Sequence, residues 1–353
     1  MKDAYIVLED GQVFKGKRFG SERDVIGEVV FTTGMTGYNE TLSDPSYYGQ
    51  IVMQTFPTIG NYGLITKDFE SDGIYVSGYI VRELCDTPSN FRSEGRLGDY
   101  LEKAGIPGIC GVDTRRLTSV IREKGVMNAC ICSDPSQADA QAIRAYTVHD
   151  AVRSVSSGKK QHFSAEKARC SVALIDYGAK ENIIRSLLSR GCDVTVWPAF
   201  STAEEILASE PDGIMLSNGP GDPKENVFCI EQIKKLCGKK PIFGICLGHQ
   251  LLALACGGDT VKLKYGHRGA NQPVTELSSG HTVITTQNHG YAVVSESIPA
   301  ETGRVSFVNA NDGTCEGVEY TAFSAFSVQF HPEACAGPLD TSVLFDRFVG
   351  LLV

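Results

Sequence analysis

Residues 241–256 read PIFGICLGHQLLALAC, and this stretch decides the fold of the second half of the chain. Its first three residues predict a short buried strand, and its last eight predict a helix with an apolar face. Between them, Gly244, Cys246 and Gly248 have the spacing of a nucleophile elbow, with cysteine in place of serine. Glycines suit so tight a turn because they lack a Cβ atom and tolerate unusual backbone angles. The following helix directs its N-terminal N–H groups at the sulfur, which favours the thiolate. For the elbow alone, a buried cysteine in a glycine-rich turn is the alternative.

Strands and helices alternate on the N-terminal side of the elbow. Short apolar runs predict strands at 171–176, 193–197, 213–216 and 241–243, and helical patterns lie between them at 179–189, 202–209 and 227–237. This alternation predicts a parallel sheet covered on both faces. Ligands of such sheets bind beyond the carboxyl ends of the strands, where the elbow also lies. Residues 170–353 are therefore predicted as an α/β domain with a mostly parallel sheet flanked by helices.

The first 150 residues have a different, β-rich pattern. Strands are predicted at 5–8, 13–15, 28–33, 50–56, 74–81, 108–112 and 127–132, and two loops rich in small residues at 33–40 and 44–49. One helix is predicted near 96–104, and another has Asp113 as its N-cap and Gly125 just past its end. Residues 1–150 are predicted as a mixed α/β domain, and the polar segment 151–169 as the linker to the second domain.

The composition is that of an ordinary soluble globular protein. The 353 residues are 42% hydrophobic and 21% charged, which suits two domains with separate cores. A net charge of −9 argues against non-specific nucleic-acid binding. No apolar run has membrane-spanning length, and the first residues lack the apolar core of a signal peptide. The 12 cysteines are scattered without a zinc-type C-x-x-C pair, so we expect reduced thiols, no metal and a cytoplasmic location.

A thiolate nucleophile needs a base, and the base needs an orienting group. The candidates are His149 and His162 near the linker, His249 on the helix after the elbow, His267 and His281 in glycine-containing loops, and His289 and His331. We favour His331, because it follows an alternating strand and Pro332 keeps it extended. In an extended chain, residues i and i+2 project to one side roughly 6–7 Å apart at Cα. Glu333 can then reach one imidazole nitrogen and leave the other for Cys246. For this tripeptide alone, a solvated surface turn is the alternative.

A stiff loop, SNGPGDP at 217–223, follows the predicted strand 213–216. It carries little side-chain bulk, so its backbone N–H groups can approach a ligand at the same edge of the sheet. Together with the N–H of Leu247, this loop is a candidate oxyanion hole for acyl transfer. A simple turn is the alternative for the loop taken by itself.

Several motifs resemble known proteins. LSNGPGDP, FGICLGHQ, QNHGYAV and FSVQFHPE, in this order, resemble the triad-type, class I glutamine amidotransferase domain. In the first 150 residues, FTTGMTGYNETLSDPSYYGQIV, FPTIGNYG and CGVDTRRLTSVIREKG resemble the N-terminal domain of the carbamoyl phosphate synthetase small subunit. The resemblance covers essentially the full chain, which is therefore identified as a member of the small-subunit family.

The resemblance implies roles for individual residues. Cys246 is implied as the nucleophile that forms a γ-glutamyl thioester, His331 as general base and acid, and Glu333 as its orienter. Gly219 and Leu247 match the oxyanion donors. The positions that match those holding L-glutamine, with His289 as a supporting residue, are Ser46, Gly219, Gly221, Leu247, Gln250, Asn288, Gly290 and Tyr291.

The resemblance also implies a partner. A glutaminase of this family passes ammonia to a large subunit, in a heterodimer or a higher oligomer, for ATP-dependent synthesis of carbamoyl phosphate from bicarbonate. The resemblance implies that the product serves arginine biosynthesis, pyrimidine biosynthesis or both. The chain has no G-x-x-x-x-G-K-[ST] loop, so we expect no cofactor here and expect ATP and metal ions in the large subunit. The first domain is expected at the partner interface and, through Ser46, at the edge of the glutamine site.

Three other functions stay open at this point. The chain is alternatively the amidotransferase subunit of another synthase, such as anthranilate or aminodeoxychorismate synthase. It is alternatively a non-catalytic regulatory subunit with an idle triad. A free-standing cysteine hydrolase of γ-glutamyl compounds is the third possibility, and it predicts full activity without a partner.

Overall fold

A computed structural model describes residues 1–334 and 336–353, which form two compact units, Met1–His149 and Asp150–Val353. The strands of the first unit are β1 (Asp3–Leu8), β2 (Val13–Gly20), β3 (Val25–Thr32), β4 (Gln50–Gln54), β5 (Thr58–Ile59), β6 (Gly78–Ile80), β7 (Glu83–Leu84), β8 (Pro107–Cys110) and β9 (Met127–Cys132). Its α-helices are α1 (Tyr38–Ser43), α2 (Leu97–Lys103), α3 (Thr114–Lys124) and α4 (Ala140–Ala145).

Seven strands of the first unit close into a barrel in the order β1-β2-β8-β6-β4-β3-β9, and β9 pairs with β1 to complete it. The run β3-β4-β6-β8 is parallel and the other pairs are antiparallel. In β2, side chains are alternately exposed and buried, as the period of two of a strand with one wet face requires. Closure leaves these seven strands without an unpaired edge.

The second unit contains one ten-stranded sheet. Its strands are β10 (Gln161–Phe163), β11 (Cys170–Asp176), β12 (Cys192–Pro198), β13 (Gly213–Leu216), β14 (Ile242–Ile245), β15 (Thr260–Glu276), β16 (Thr282–Val293), β17 (Gly303–Asn309), β18 (Cys315–Tyr320) and β19 (Ala325–Val328). Its α-helices are α5 (Ala151–Val155), α6 (Glu181–Leu188), α7 (Ala203–Leu207), α8 (Val227–Leu236), α9 (Leu247–Ala255) and α10 (Val343–Val349).

The strand order of this sheet is β10-β12-β11-β13-β14-β19-β18-β17-β15-β16. Five neighbouring strands in this order are parallel to one another: β12, β11, β13, β14 and β19. The remaining pairs are antiparallel. Helices α7, α8 and α9 pack one apolar layer against one face, and α6 and α10 pack a second layer against the other. The predicted α/β class, with a parallel sheet between helices, is confirmed. The central strands β13 and β14 are buried at every residue, as strands covered on both faces must be.

Three sequence predictions differ from the structure. The loop predicted at 33–40 overlaps α1, which forms because Tyr38 and Leu42 are both buried in the core of the first unit. The segment 151–169 belongs to the second unit and contains α5 and β10, since Val152 packs into its core. His267 lies in β15 and not in a loop.

Strands β15 to β18 were not predicted, because polar residues and glycines interrupt their alternation. Within β15, the pairing with β16 is irregular between Lys262 and His267 and again between Gly269 and Gln272. Such bulges shift the side chains from one face to the other, so no steady period of two survives in the sequence. None of the described helices is both long and apolar enough to cross a membrane.

Candidate active site

The predicted elbow is present where β14 ends and α9 begins. Cys246 lies at that point with φ 52° and ψ −105°, a conformation that L residues rarely adopt. A Cβ atom on Gly248 would overlap the carbonyl oxygen of Leu216, and one on Gly244 would lie 2.9 Å from the carbonyl oxygen of Gly248. Both glycines are therefore required by backbone packing around the nucleophile. The amide of Gly248 also donates a 2.9 Å hydrogen bond to the carbonyl of Ser217.

The elbow holds the Cys246 thiol in a buried position. Its Sγ atom donates to the carbonyl oxygen of Asn288, in β16, at 3.7 Å. Its backbone amide donates at 2.9 Å to the carbonyl of Val328, which is the last residue of β19. Because β14 and β19 are neighbouring parallel strands, Cys246 and the residues after β19 follow the carboxyl ends of adjacent strands.

His331, Glu333 and Lys180 form a buried relay beyond the end of β19. The Nδ1 atom of His331 lies 2.6 Å from Oε1 of Glu333, and Nζ of Lys180 lies 2.8 Å from the same oxygen. Burial by itself would raise the pKa of Glu333, but Lys180 and then His331 outweigh it and lower the pKa to about 2. Glu333 is thus a carboxylate at neutral pH.

The carboxylate fixes the tautomer of His331. Because Glu333 only accepts, Nδ1 of His331 carries the proton and donates it, which leaves Nε2 with a lone pair. Among the residues that the structure describes, this buried Nε2 has no hydrogen-bond partner. The backbone amide of His331 donates to the carbonyl of Thr286 at 2.9 Å, so β16 also helps to fix the position of this residue.

Sequence reasoning missed Lys180. It is buried, and its backbone amide donates to Oδ1 of Asn218 at 3.1 Å, in the loop predicted as part of the oxyanion hole. A signal was available: Lys180 follows β11 at the carboxyl edge of the sheet, where ligands of this fold class bind. Its partner Glu333 is distant in sequence, so no local spacing pointed to the pair.

The two predicted oxyanion donors, Gly219 and Leu247, lie against each other. A Cβ atom on Gly219 would come within 2.8 Å of Cδ2 of Leu247 and would overlap the carbonyl oxygen of Tyr177. Leu247 is the first residue of α9, where the helix has amides without carbonyl partners in its own turn. The loop 217–223 is anchored by Ser217, whose Oγ accepts from the amide of Tyr177 at 2.9 Å.

Several residues predicted to hold glutamine lie near the elbow. The Nε2 atom of Gln250, on α9, donates to the carbonyl oxygen of Tyr291 at 2.8 Å and to Oε1 of Gln329 at 2.8 Å. Asn288 contacts Cys246, as described above, and Gly290 lies between Asn288 and Tyr291 in β16.

Two other members of the predicted set lie elsewhere. Gly221 has φ 89° and lies in the loop 217–223. Ser46 belongs to the first unit, where it is buried in the single turn Pro45–Tyr47 and its amide donates to Oδ1 of Asp44 at 2.9 Å. Its contact with glutamine stays a prediction.

Comparison with known proteins identifies the class of the second unit. The family described as "Glutamine amidotransferase class-I" matches residues 173–351. The second unit is therefore a class I glutamine amidotransferase domain. Among solved structures, a glutamine amidotransferase from Thermotoga maritima has a TM-score of 0.40 and 20% identity, and the match covers 47% of this chain and 76% of that one.

Matches to the first unit and to relatives of similar length identify the family more closely. The description "Carbamoyl-phosphate synthase small chain, CPSase domain" matches residues 6–131. The carbamoyl phosphate synthase small chain of Bacillus caldolyticus is 51% identical over 350 residues, 98% of this chain and 96% of that protein. That of Clostridium perfringens is 51% identical over 348 residues, 98% of each chain. The chain belongs to the carbamoyl phosphate synthase small chain family, and so to the glutamine-hydrolysing carbamoyl phosphate synthases. A small chain implies a large-chain partner.

Proposed function

We propose that this protein hydrolyses L-glutamine through a thioester on Cys246 and supplies the ammonia to a large chain that makes carbamoyl phosphate. The observation that carries the proposal is the arrangement of two neighbouring parallel strands. One ends at a buried cysteine in a strained turn, and the other leads into an imidazole held by an ionised carboxylate. The proposed nucleophile, and the proposed base with its orienting group, thus follow the carboxyl ends of adjacent strands at one edge of the sheet.

The first half of the reaction forms the thioester. Sγ of Cys246 attacks the γ-carbonyl carbon of glutamine while Nε2 of His331 takes the thiol proton. The amides of Gly219 and Leu247 donate to the oxyanion that develops on the carbonyl oxygen. His331 then returns its proton to the leaving nitrogen, the C–N bond breaks, and ammonia departs.

The second half releases glutamate. His331 takes a proton from water, the resulting hydroxide attacks the thioester carbon, and the C–S bond breaks. The thiolate of Cys246 recovers a proton from His331 and the cycle closes. Glu333 stabilises the imidazolium in both halves, and Lys180 keeps Glu333 ionised so that it does so without taking up the proton itself.

The decisive test is Cys246→Ser, assayed for glutamate release with and without a large chain. Glutamine hydrolysis should be lost, while synthesis from free ammonia by the complex should persist, because that chemistry lies in the partner. Cys256→Ser is the matched control, since Cys256 lies at the opposite end of the same helix α9. Glutamine use by Cys246→Ser at the wild-type rate would overturn the proposal.

The same assay separates the other functions. A non-catalytic regulatory subunit predicts no glutaminase in the wild type, and a free-standing hydrolase predicts full activity without the large chain. We propose a stable heterodimer, which size-exclusion chromatography of the mixed chains tests. Elution of the two chains at separate volumes under conditions of active synthesis would contradict it.

A further inference from the structure

Two histidines and a glutamate form a second buried cluster that the proposed glutaminase chemistry does not use. His267 in β15, His289 in β16 and Glu316 in β18 place their ligand atoms within 4.8 Å of one another. Oε1 of Glu316 lies 3.4 Å from Nδ1 of His267 and 3.8 Å from Nε2 of His289. All three residues are buried, and Glu316 is 0% exposed.

Each imidazole in this cluster is oriented by a contact to the ring nitrogen that faces away from Glu316. Nε2 of His267 lies 2.9 Å from Oδ2 of Asp312, and Nδ1 of His289 donates to the carbonyl oxygen of Tyr291 at 2.8 Å. Both outer partners are acceptors, so each holds a proton on the outer nitrogen. Nδ1 of His267 and Nε2 of His289 then face Glu316, and Nε2 of His289 also lies 3.1 Å from Oε1 of Gln287. A carboxylate or a carbonyl behind each imidazole is the usual outer shell of a histidine metal ligand.

Two of the inner atoms of the cluster have no hydrogen bond. Nδ1 of His267 and Oε2 of Glu316 are both buried and have no hydrogen-bond partner within residues 1–334 and 336–353. Native proteins rarely leave such atoms unpaired, and each instance calls for an explanation such as an ion. Here the unpaired atoms belong to two of the residues that converge on one point.

We propose that His267, His289 and Glu316 bind a divalent transition metal of the zinc type. Ligand bonds of about 2.0–2.1 Å in a tetrahedron place ligand atoms about 3.3–3.4 Å apart, close to the 3.4 and 3.8 Å separations found here. Oε1 of Gln287, 3.1 Å from Nε2 of His289, is in reach to act as a fourth ligand. Two imidazoles and one carboxylate favour zinc, cobalt or nickel over magnesium or calcium, which prefer oxygen.

The charged groups around the site are two carboxyl groups and the guanidinium of the buried Arg268 near His289. Asp312 and Glu316 provide two carboxyl groups at the cluster, and Asn309 supports the second by donating to its Oε1 at 3.3 Å. The ion would link β15, β16 and β18 directly. In the sheet, β15 pairs with β16, but β17 lies between β15 and β18. The role is structural, because the ligands are buried and none belongs to the proposed nucleophile, base or orienting group.

The test uses Co²⁺ added to the full-length chain carrying Cys246→Ser, after removal of metals with a chelator. Nitrogen and oxygen ligands in a low-coordinate site give intense visible d–d absorption, whereas thiolate ligation adds a charge-transfer band in the near ultraviolet. We expect the d–d bands without the charge-transfer band. His267→Ala should abolish them, and the matched control His281→Ala, an exposed histidine of the same unit, should retain them.

A second variant keeps the test decisive if His267→Ala does not fold. Asp312→Asn changes only the outer partner of His267, on a side chain that is 47% exposed, and should weaken Co²⁺ affinity by about 10–100-fold. Zn²⁺ at a hundred times its dissociation constant should raise the Tm of the Cys246→Ser chain by roughly 5–10 °C. An unchanged Tm, absence of d–d bands, or equal bands in His267→Ala and His281→Ala would overturn the proposal.

Discussion

The second unit contains two buried clusters of imidazole and carboxylate that differ in what balances the carboxylate. At Glu333, a lysine and a histidine share one oxygen, and the pKa of the carboxyl falls to about 2. At Glu316, burial dominates over the nearby His267 and raises the pKa of the carboxyl above its ordinary value. A glutamate beside a histidine is thus ionised at neutral pH in one place, and in the other it is a buried carboxyl group with a raised pKa.

The two clusters suit different tasks. A general base needs a neutral imidazole with a fixed tautomer, and an ionised Glu333 beside Lys180 provides that without a metal. A metal site needs ligand atoms that converge on one point, which Glu316 and its two histidines offer.

The largest expected effect belongs to the first cluster. His331→Asn should lower kcat for glutamine hydrolysis by about 10²–10⁴-fold, because the thiol loses the group that takes and returns its proton. The Co²⁺ spectrum should be unchanged, since His331 is not one of the proposed ligands. Steady-state kinetics and absorption spectra of His331→Asn and of the exposed control His281→Asn check both statements. A lost cobalt spectrum in His331→Asn would mean that the two clusters are not independent.

The ionisation of Glu333 predicts a pH-dependent stability difference. Its pKa of about 2 lies below the ordinary 4.5, so its contribution is complete above pH 4.5 and is lost as the pH falls toward 2. At pH 7 the wild type should exceed Glu333→Gln by about 3 kcal/mol in unfolding free energy, and the gap should narrow between pH 4.5 and 3. Urea unfolding of the wild type and of Glu333→Gln at each pH measures this gap in free energy. Glu166→Gln, an exposed control, should show no such trend. A gap independent of pH would contradict the assignment.

The next effect concerns binding. Ser46→Ala should raise KM for glutamine by about 5–150-fold, the value of a lost hydrogen bond to an ionised substrate group. The kcat should change little, because this contact is made equally in the ground and transition states. Ser89→Ala, at an exposed serine of the same unit, is the control. An unchanged KM would confine the glutamine site to the second unit, where both clusters lie.

The smallest expected effect is a change in stability that tests the backbone strain at Cys246. Cys246→Gly should be more stable than Cys246→Ala by about 1–2 kcal/mol, because glycine adopts a positive φ without a Cβ clash. The Tm should differ by about 2–8 °C. At Cys256, where φ is −94°, the same pair of substitutions should have the opposite order. Equal Tm values at Cys246 would mean that the elbow stores no strain.

The sequence was most informative where the signals are local. Two glycines flanking a cysteine predicted the elbow, and Asp113 and Gly125 marked both ends of α3, where Asp113 accepts from the amide of Arg116 at 3.0 Å. The pairing of His331 with Glu333 followed from a two-residue spacing in an extended segment. In each case the physical constraint acts within a few residues, so a single sequence contains it.

What could not be predicted depends on distant residues. Lys180 meets Glu333 only after β11 and β19 have joined the same sheet, and His267 meets Glu316 only after β15 and β18 have folded. The spacing of residues in the sequence does not indicate contacts of this kind. The bulges in β15 also concealed the strand, because the burial of its side chains has no steady period.

The pairing of β14 with β19 has a consequence for folding. The register joins Ile242 to Ala325, so roughly 80 residues of chain separate the strand before Cys246 from the strand before His331. These residues include α9 and the four strands from β15 to β18. Closing so long a loop costs entropy that only the completed sheet offsets, and such non-local pairing is slow. A nascent chain therefore carries Cys246 without the proposed base, and under the proposed mechanism its thiol becomes catalytic only when the sheet is complete.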